Sequence, residues 1–292
     1  MAKTIEQGFD TFISWLVPLT TEHNKAASHK ESVKSCMVNN FGCNLFFETG
    51  SFSNGTGVRH FSDTDYFARC PAGNFYTDAT YTLRLVKEAL QRTFSTTPDI
   101  AVKNPAVRIP FGSYASERLE LTPVYHGGII NTPVGNKNCY NIPNYDGGWM
   151  QSSPGAHTEY VNREDRRLNG KLKPLIRLVK AWKFYNQVPI YSFYLELRVT
   201  KYAESQTGIV YDIDLKNIIK FLYDNDLPSI QDPMGISGLI RACKTTAKKN
   251  IALTKLATGY TRAIKAYDAR STNIDTSFYW WKMFFNSQFP SR

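Results

Sequence analysis

The spacing of apolar positions changes period several times along the chain, and each change marks an element. Helical spacing covers residues 4–17 and returns over 21–40, the second stretch opening after Thr20-Thr21-Glu22, which suits a helix cap. Strand formers follow at Asn44-Leu45-Phe46-Phe47-Glu48-Thr49 and run into a polar, glycine-punctuated turn, Gly50-Ser51-Phe52-Ser53-Asn54-Gly55-Thr56-Gly57. A second short strand is predicted over Thr64-Asp65-Tyr66-Phe67-Ala68. Residues 77–94, with Leu83, Leu85, Val86, Ala89 and Leu90 in register, predict an amphipathic helix. Strands return over 106–110 and 118–122. Residues 127–160 carry Gly, Pro, Asn and aromatics with little periodicity, which predicts a long ordered loop or hinge. Helical patterns then fill 170–186, 190–203, 214–224, 236–249 and 251–269. The class is therefore α+β, with a mixed front region over 1–155 and a helical lobe over 156–292.

Composition narrows the function classes. The chain has 292 residues, 42% of them apolar or aromatic, enough for a sizeable core in one large domain or two lobes. A formal charge of +10 favours phosphate-rich partners. No apolar stretch approaches a bilayer span and the start lacks the apolar run of a secretory signal, so a membrane protein is not expected. Five scattered cysteines, Cys36, Cys43, Cys70, Cys139 and Cys243, contain no C-x-x-C pair. They predict a reducing, cytoplasmic setting rather than a disulfide framework or a zinc ribbon.

The sharpest local chemistry is Gly50-Ser51 followed a dozen residues later by Ser62-Asp63-Thr64-Asp65. On a strand, side chains two apart share a face, so Asp63 and Asp65 present two carboxylates to one point, and like charges that close need a cation. A third acid, Glu120, alternates with Leu119 and Leu121 on another strand, aliphatic pair inward and carboxylate on the opposite face. Three oxygen donors suit Mg²⁺, or Mn²⁺ in its place, and two such ions would clamp the attacking and leaving oxygens of a nucleotidyl transfer. The turn's N–H groups and the Ser51 hydroxyl could cradle a triphosphate. A lone D-x-D also occurs as a plain feature of exposed strand ends. The ordered combination of strand, Gly-Ser, D-x-D, helix and strand acid is far rarer.

At these residues the chain resembles the DNA polymerase β-like nucleotidyltransferases. More narrowly it resembles the bacterial branch related to cyclic GMP-AMP synthase, the cyclic-oligonucleotide synthases (CD-NTases) of CBASS anti-phage signalling. The stretches Lys173-Pro174-Leu175-Ile176-Arg177-Leu178-Val179-Lys180-Ala181-Trp182-Lys183 and Ile190-Tyr191-Ser192-Phe193-Tyr194-Leu195-Glu196 carry the same resemblance. So does the aromatic tail Trp281 to Pro290, where Phe285 stands at a usual glycine. The resemblance implies a polymerase β-like lobe plus a helical lobe, with the active site in the cleft between them. It implies Asp63, Asp65 and Glu120 as catalytic metal ligands for two ions, although many members have Asp at the Glu120 position. Gly50 and Ser51 would contact the donor phosphates, and Lys180, Ser192 and Phe193 would hold the nucleotide from the helical lobe. Substrates would be ATP, GTP, UTP or CTP, and the cyclic product would act on a downstream effector.

In helix 170–186, Leu172, Leu175, Ile176 and Val179 face the core, while Lys173, Arg177 and Lys180 recur on another face. A solvated face suits Lys173, a nucleotide-facing role Lys180. Arg241, Lys244, Lys248, Lys249, Lys255, Arg262 and Lys265 form an acid-free stretch that is either a track for activating RNA or DNA or a solubilising surface. His126, Cys139 and His157 have no zinc-finger spacing and are read as structural, and His60 lies beside the acidic pair. Two other functions stay open: a linear transferase, either 2′-5′ oligoadenylate-like or tRNA-end-adding, and a basic RNA-binding module with vestigial acids.

Overall fold

The computed structural model describes residues 4–19, 28–61, 63–112 and 117–292. Helix α1 (Ile5–Leu16) is followed by α2 (Lys30–Phe41), β1 (Leu45–Thr49), the one-turn α3 (Gly50–Ser53), β2 (Thr64–Arg69) and α4 (Ala79–Thr93). Then come β3 (Ala101–Lys103), β4 (Ala106–Phe111), β5 (Glu117–Thr132), β6 (Gly135–Pro143) and β7 (Trp149–Ser152). The remainder is α5 (Pro154–Arg167), α6 (Leu172–Tyr185), α7 (Ser192–Ala203), α8 (Tyr211–Asp224), a short ribbon β8 (Ile230–Gln231) and β9 (Leu239–Ile240), α9 (Thr246–Ala269) and α10 (Ile274–Phe284). The start proposed for the second helix, at Thr20-Thr21-Glu22, lies outside the described residues.

The chain divides into two compact units. One comprises Pro18–Glu159 with Met234–Ser237, the other Met1–Val17, Tyr160–Pro233 and Gly238–Arg292. The first helix therefore belongs with the C-terminal helices, not with the sheet that follows it. α5 runs through the 155/156 position where the sequence suggested a change of lobe.

The sheet unit is built on strands ordered β1-β2-β5-β4-β3, with β6 on the far half of β5 and β7 beyond it. β2 and β5 are parallel, and the other pairs are antiparallel. One face carries Tyr66, Ala68, Val107, Ile109, Leu119 and Leu121, which close against Val33, Met37 and Phe41 of α2 and Leu83, Val86 and Leu90 of α4. Burying Leu119 and Leu121 completely contributes about 1.5–3 kcal/mol each. Asp78 caps α4 by accepting from the N–H groups of Thr80 and Tyr81 at 2.8 and 3.2 Å.

Two sequence expectations fail here. Residues 127–160 are not a loop: β5 continues through them to Thr132, turns at Pro133-Val134 into β6, and is followed by β7 and α5. A register shift between His126 and Gly128 breaks the period-2 signal, and Asn and Gly supply backbone to the ladder without an apolar pattern. Residues 236–249 are not a helix either. Gly235 and Gly238 adopt left-handed backbone around the β8–β9 ribbon, and the helix starts only at Thr246, where the Thr245 hydroxyl accepts from Lys248 N–H at 3.2 Å.

In the helical unit, α1 packs on α6, α8 and α10. Its Phe9, Phe12 and Leu16 are each 1% exposed, and the rings of Phe9 and Phe12 meet Trp281, Phe285 and Phe289 at 4.5–5.3 Å.

Candidate active site

The sheet register assembles the acidic site. Asp65 of β2 lies level with Glu120 of β5, Glu120 with Arg108 of β4, and Asp65 with Thr49 of β1, giving one row across four strands. Asp63 stands just before β2, two residues from Asp65 and on the same face. The register continued by one step sets it beside Arg118. Tyr66, Leu119 and Leu121 are buried on the opposite face, so a slip of one residue would drive the carboxylates into the core.

At the end of β1 the chain enters α3 through Gly50, whose φ is +71°. A Cβ there would collide with Asp65 Oδ2, so glycine is what lets the turn lie directly on the acid. The turn is held from behind by Thr56 N–H to the Ser51 carbonyl at 2.9 Å and by Thr158 of α5 donating to Asn54 Oδ1.

Two arginines share the face. Arg118 Nε is 2.8 Å from Asp63 Oδ1, and Arg108 Nη2 is 3.9 Å from Asp63 Oδ2 and 3.0 Å from Glu120 Oε1. Arg108 Nε also donates to Glu120 Oε1 at 3.0 Å. The Arg118 ion pair is out of line for a hydrogen bond, which leaves buried Asp63 Oδ1 with no hydrogen bond among the described residues. Burial and then the charge of Asp63 push the Glu120 carboxyl up, against the opposing pull of Arg108. Three carboxylates on one face, one with an oxygen lacking a hydrogen bond, fit a hard divalent cation in donor chemistry. As the side chains stand, no three His, Cys, Asp or Glu among the described residues are gathered for an ion, and the arginines pair with Asp63 and Glu120.

In the helical unit the nucleotide-binding expectations separate. Leu172, Leu175, Ile176 and Val179 are buried as the periodicity requires, but so are Arg177 and Lys180, at 8% and 3% exposure. Lys180 Nζ lies 2.5 Å from Glu196 Oε2, in a pair inside the helix packing. Ser192 is the first residue of α7, and its Oγ accepts from Lys183 Nζ at 2.7 Å. Burial, with the charge of Lys180 adding to it, lowers the Lys183 ammonium to about 8. Phe193 is 41% exposed beside this pair. Lys183 was therefore missed as a partner of Ser192. Its only sequence signal was a place one turn beyond Lys180 in the same basic helix.

The other candidates resolve individually. His60 has φ +66° and its carbonyl accepts from Arg118 Nη2 at 3.3 Å. His126 Nε2 is 3.4 Å from Asn138 Oδ1, and Cys139 and His157 are buried. In the basic stretch, Lys249 pairs with Asp226 at 2.6 Å, Arg262 donates to the Met283 carbonyl, and Lys265 sits 4.3 Å from the Trp280 ring. Arg241, Lys244, Lys248 and Lys255 are exposed.

No family model matches the chain. It is 23% identical over 178 residues to a probable cyclic nucleotide synthase of Bacillus cereus, covering 59% of this chain and 51% of that protein. It is 23% identical over 248 residues to a cyclic AMP-AMP-AMP synthase of an Acinetobacter species, covering 80% and 66%. The chain thus spans about half to two-thirds of the length of these relatives. CdnC of Escherichia coli MS115-1, solved with ATP, superposes with a TM-score of 0.75 at 16% identity over 98% of this chain and 99% of that one. The same protein in complex with HORMA-deltaN gives 0.75 at 15%, covering 98% of each chain. With its mixed sheet and its C-terminal helices, the chain has the fold of the solved CD-NTases.

Proposed function

We propose that the chain is a nucleotidyltransferase that joins ribonucleoside triphosphates and closes the product into a cyclic di- or oligonucleotide messenger for anti-phage signalling. The observation that carries this reading is the row of Asp65 and Glu120, with Asp63 beside it, directly under the Gly50-Ser51 turn. The relatives and the ATP-bound structural neighbour support it. Asp63, Asp65 and Glu120 would hold two divalent ions, Mg²⁺ or Mn²⁺, which would supply activation of the attacking hydroxyl and charge neutralisation at the departing pyrophosphate. The Gly50-Ser51 backbone and hydroxyl orient the donor phosphates so that a 3′-hydroxyl attacks the α-phosphorus in line. Within the helical unit, Lys183 and Ser192 are the candidate phosphate contacts, Lys180 acting through its buried pair with Glu196 to fix the helix that presents Lys183. Phe193 supplies an exposed ring for a base. The exposed cations Arg241, Lys244, Lys248 and Lys255 are the surface on which an activating RNA would lie, and the product acts through a downstream effector.

The test is incubation of the protein with all four triphosphates and Mg²⁺ or Mn²⁺, with products identified by mass and challenged with phosphatase. The expected product resists phosphatase, and Asp63→Asn lowers its formation at least about a hundredfold while the protein stays folded. A phosphatase-sensitive product would instead mark a linear transferase, and RNA binding without pyrophosphate release a binding module.

A further inference from the structure

We propose that Arg118 and Arg108 are built-in counter-ions that keep divalent metal off the acidic row until a nucleotide arrives. The inference rests on the reading that Asp63, Asp65 and Glu120 are the metal ligands. Both arginines come from strand positions rather than loops: Arg118 lies two residues before Glu120 on β5, and Arg108 lies level with Glu120 on β4. The alternation that presents the acids therefore presents the guanidiniums to the same face.

Asp63 is flanked on both oxygens, by Arg118 at 2.8 Å and Arg108 at 3.9 Å, and Glu120 Oε1 takes two nitrogens of Arg108. The Glu120 lone pair that takes the Arg108 N–H is not available to an ion, and the guanidinium charges flanking Asp63 repel one, so metal entry is an exchange and not a simple addition. The electrostatic balance points the same way. Three carboxylates and two permanently charged guanidiniums leave one net negative charge, a weak attraction for two divalent cations. A triphosphate changes both sides of the balance. It brings negative charge for the ions and offers the arginines phosphate oxygens, which a guanidinium fork binds in bidentate fashion. Arg118 is 37% exposed at its side chain, so it can leave Asp63 by rotating without disturbing the core. Loading of metal is thereby tied to loading of nucleotide, and the acids spend the idle state paired and not in mutual repulsion.

The experiment measures Mn²⁺ binding to the full chain without nucleotide, by the paramagnetic resonance signal of free Mn²⁺. Arg118→Gln keeps the side chain's bulk and removes its charge. The expected result is Mn²⁺ affinity about three- to tenfold tighter than wild type, the range for an ion pair between exposed and buried. A non-hydrolysable ATP analogue should then tighten Mn²⁺ binding by a smaller factor in Arg118→Gln than in wild type. Unchanged or weaker affinity in Arg118→Gln overturns the proposal. Adding Asp63→Asn to that variant separates the two levels of inference. If the double variant binds Mn²⁺ as Arg118→Gln does, the ions lie elsewhere and the metal-ligand reading itself fails. If it loses the binding while Arg118→Gln alone equals wild type, only the counter-ion role fails.

Discussion

Gly50 is set by steric demand on two counts: its backbone is left-handed, and its missing Cβ is where the Asp65 carboxylate sits. Gly50→Ala should therefore lower turnover at least about a hundredfold, comparable to losing a metal ligand, while circular dichroism shows the sheet intact. Full activity in that variant would mean the turn does not touch the chemistry. Lys183 makes a different prediction. Its ammonium, lowered to about 8 by burial, is charged below that pH and neutral above it. If it grips phosphate, the KM for triphosphate should rise as pH climbs through about 8, and Lys183→Arg, which stays charged, should flatten the rise. The stability effect runs the other way: between about 8 and the ordinary lysine value the unfolded chain binds the extra proton, so this group adds stability as pH increases there. The acids were legible because period-2 alternation with Leu119 and Leu121 fixes their face. Lys183 was not, because its burial and its bond to Ser192 come from packing between α6 and α7, which a single helix's periodicity does not contain.

Among the elements, α1 offers the sharpest packing test. A Cβ on Gly8 would lie 2.9 Å from Phe278 Cε1 and 3.2 Å from Phe289 Cζ, both on rings held in a crowded aromatic cluster. Alanine usually gains up to about 1 kcal/mol over glycine inside a helix, but overpacking costs about 1–3 kcal/mol, and rings have no flexible end to swing aside. Gly8→Ala should thus be net destabilising in urea unfolding, and a stabilised variant would refute the packing account. Elements with strong local signals, such as α4 with its Asp78 cap or β2 with its β-branched and aromatic run, were readable from the chain. The β5–β6–β7 ladder was not. Its apolar positions are few, Gly128 interrupts the alternation, and the pairing that stabilises it joins residues such as Tyr125 and Asn141 that carry no shared local code.

At the scale of the whole molecule, the excess of positive charge is unevenly spent. Lys249, Arg262 and Lys265 have partners within the helical unit, and Arg241, Lys244, Lys248 and Lys255 are exposed to solvent. If these bind a polyanion, affinity for RNA should fall with salt by about 0.7 to 0.9 log units per log unit for each neutralised phosphate, and Lys244→Glu with Lys248→Glu should reduce that slope. A salt-independent affinity, or none, would return this surface to a solubilising role. The net charge was legible from composition, but the partners of Lys249, Arg262 and Lys265 required α8, α9 and α10 to be in place.

The helical unit is closed by segments from both ends of the chain, with Phe9 and Phe12 of α1 lodged against Trp281, Phe285 and Phe289. On a ribosome this inverts the usual order. α1 cannot complete the burial of its aromatic face until Trp281, Phe285 and Phe289 have emerged, on the order of tens of seconds later at about 5–20 residues per second. During that interval the sheet unit's chain is already complete but for Met234–Ser237, while α1 waits as an exposed apolar stretch on the nascent chain. Emergence of α10 and the Phe285–Phe289 segment is therefore the event that seals the helical unit.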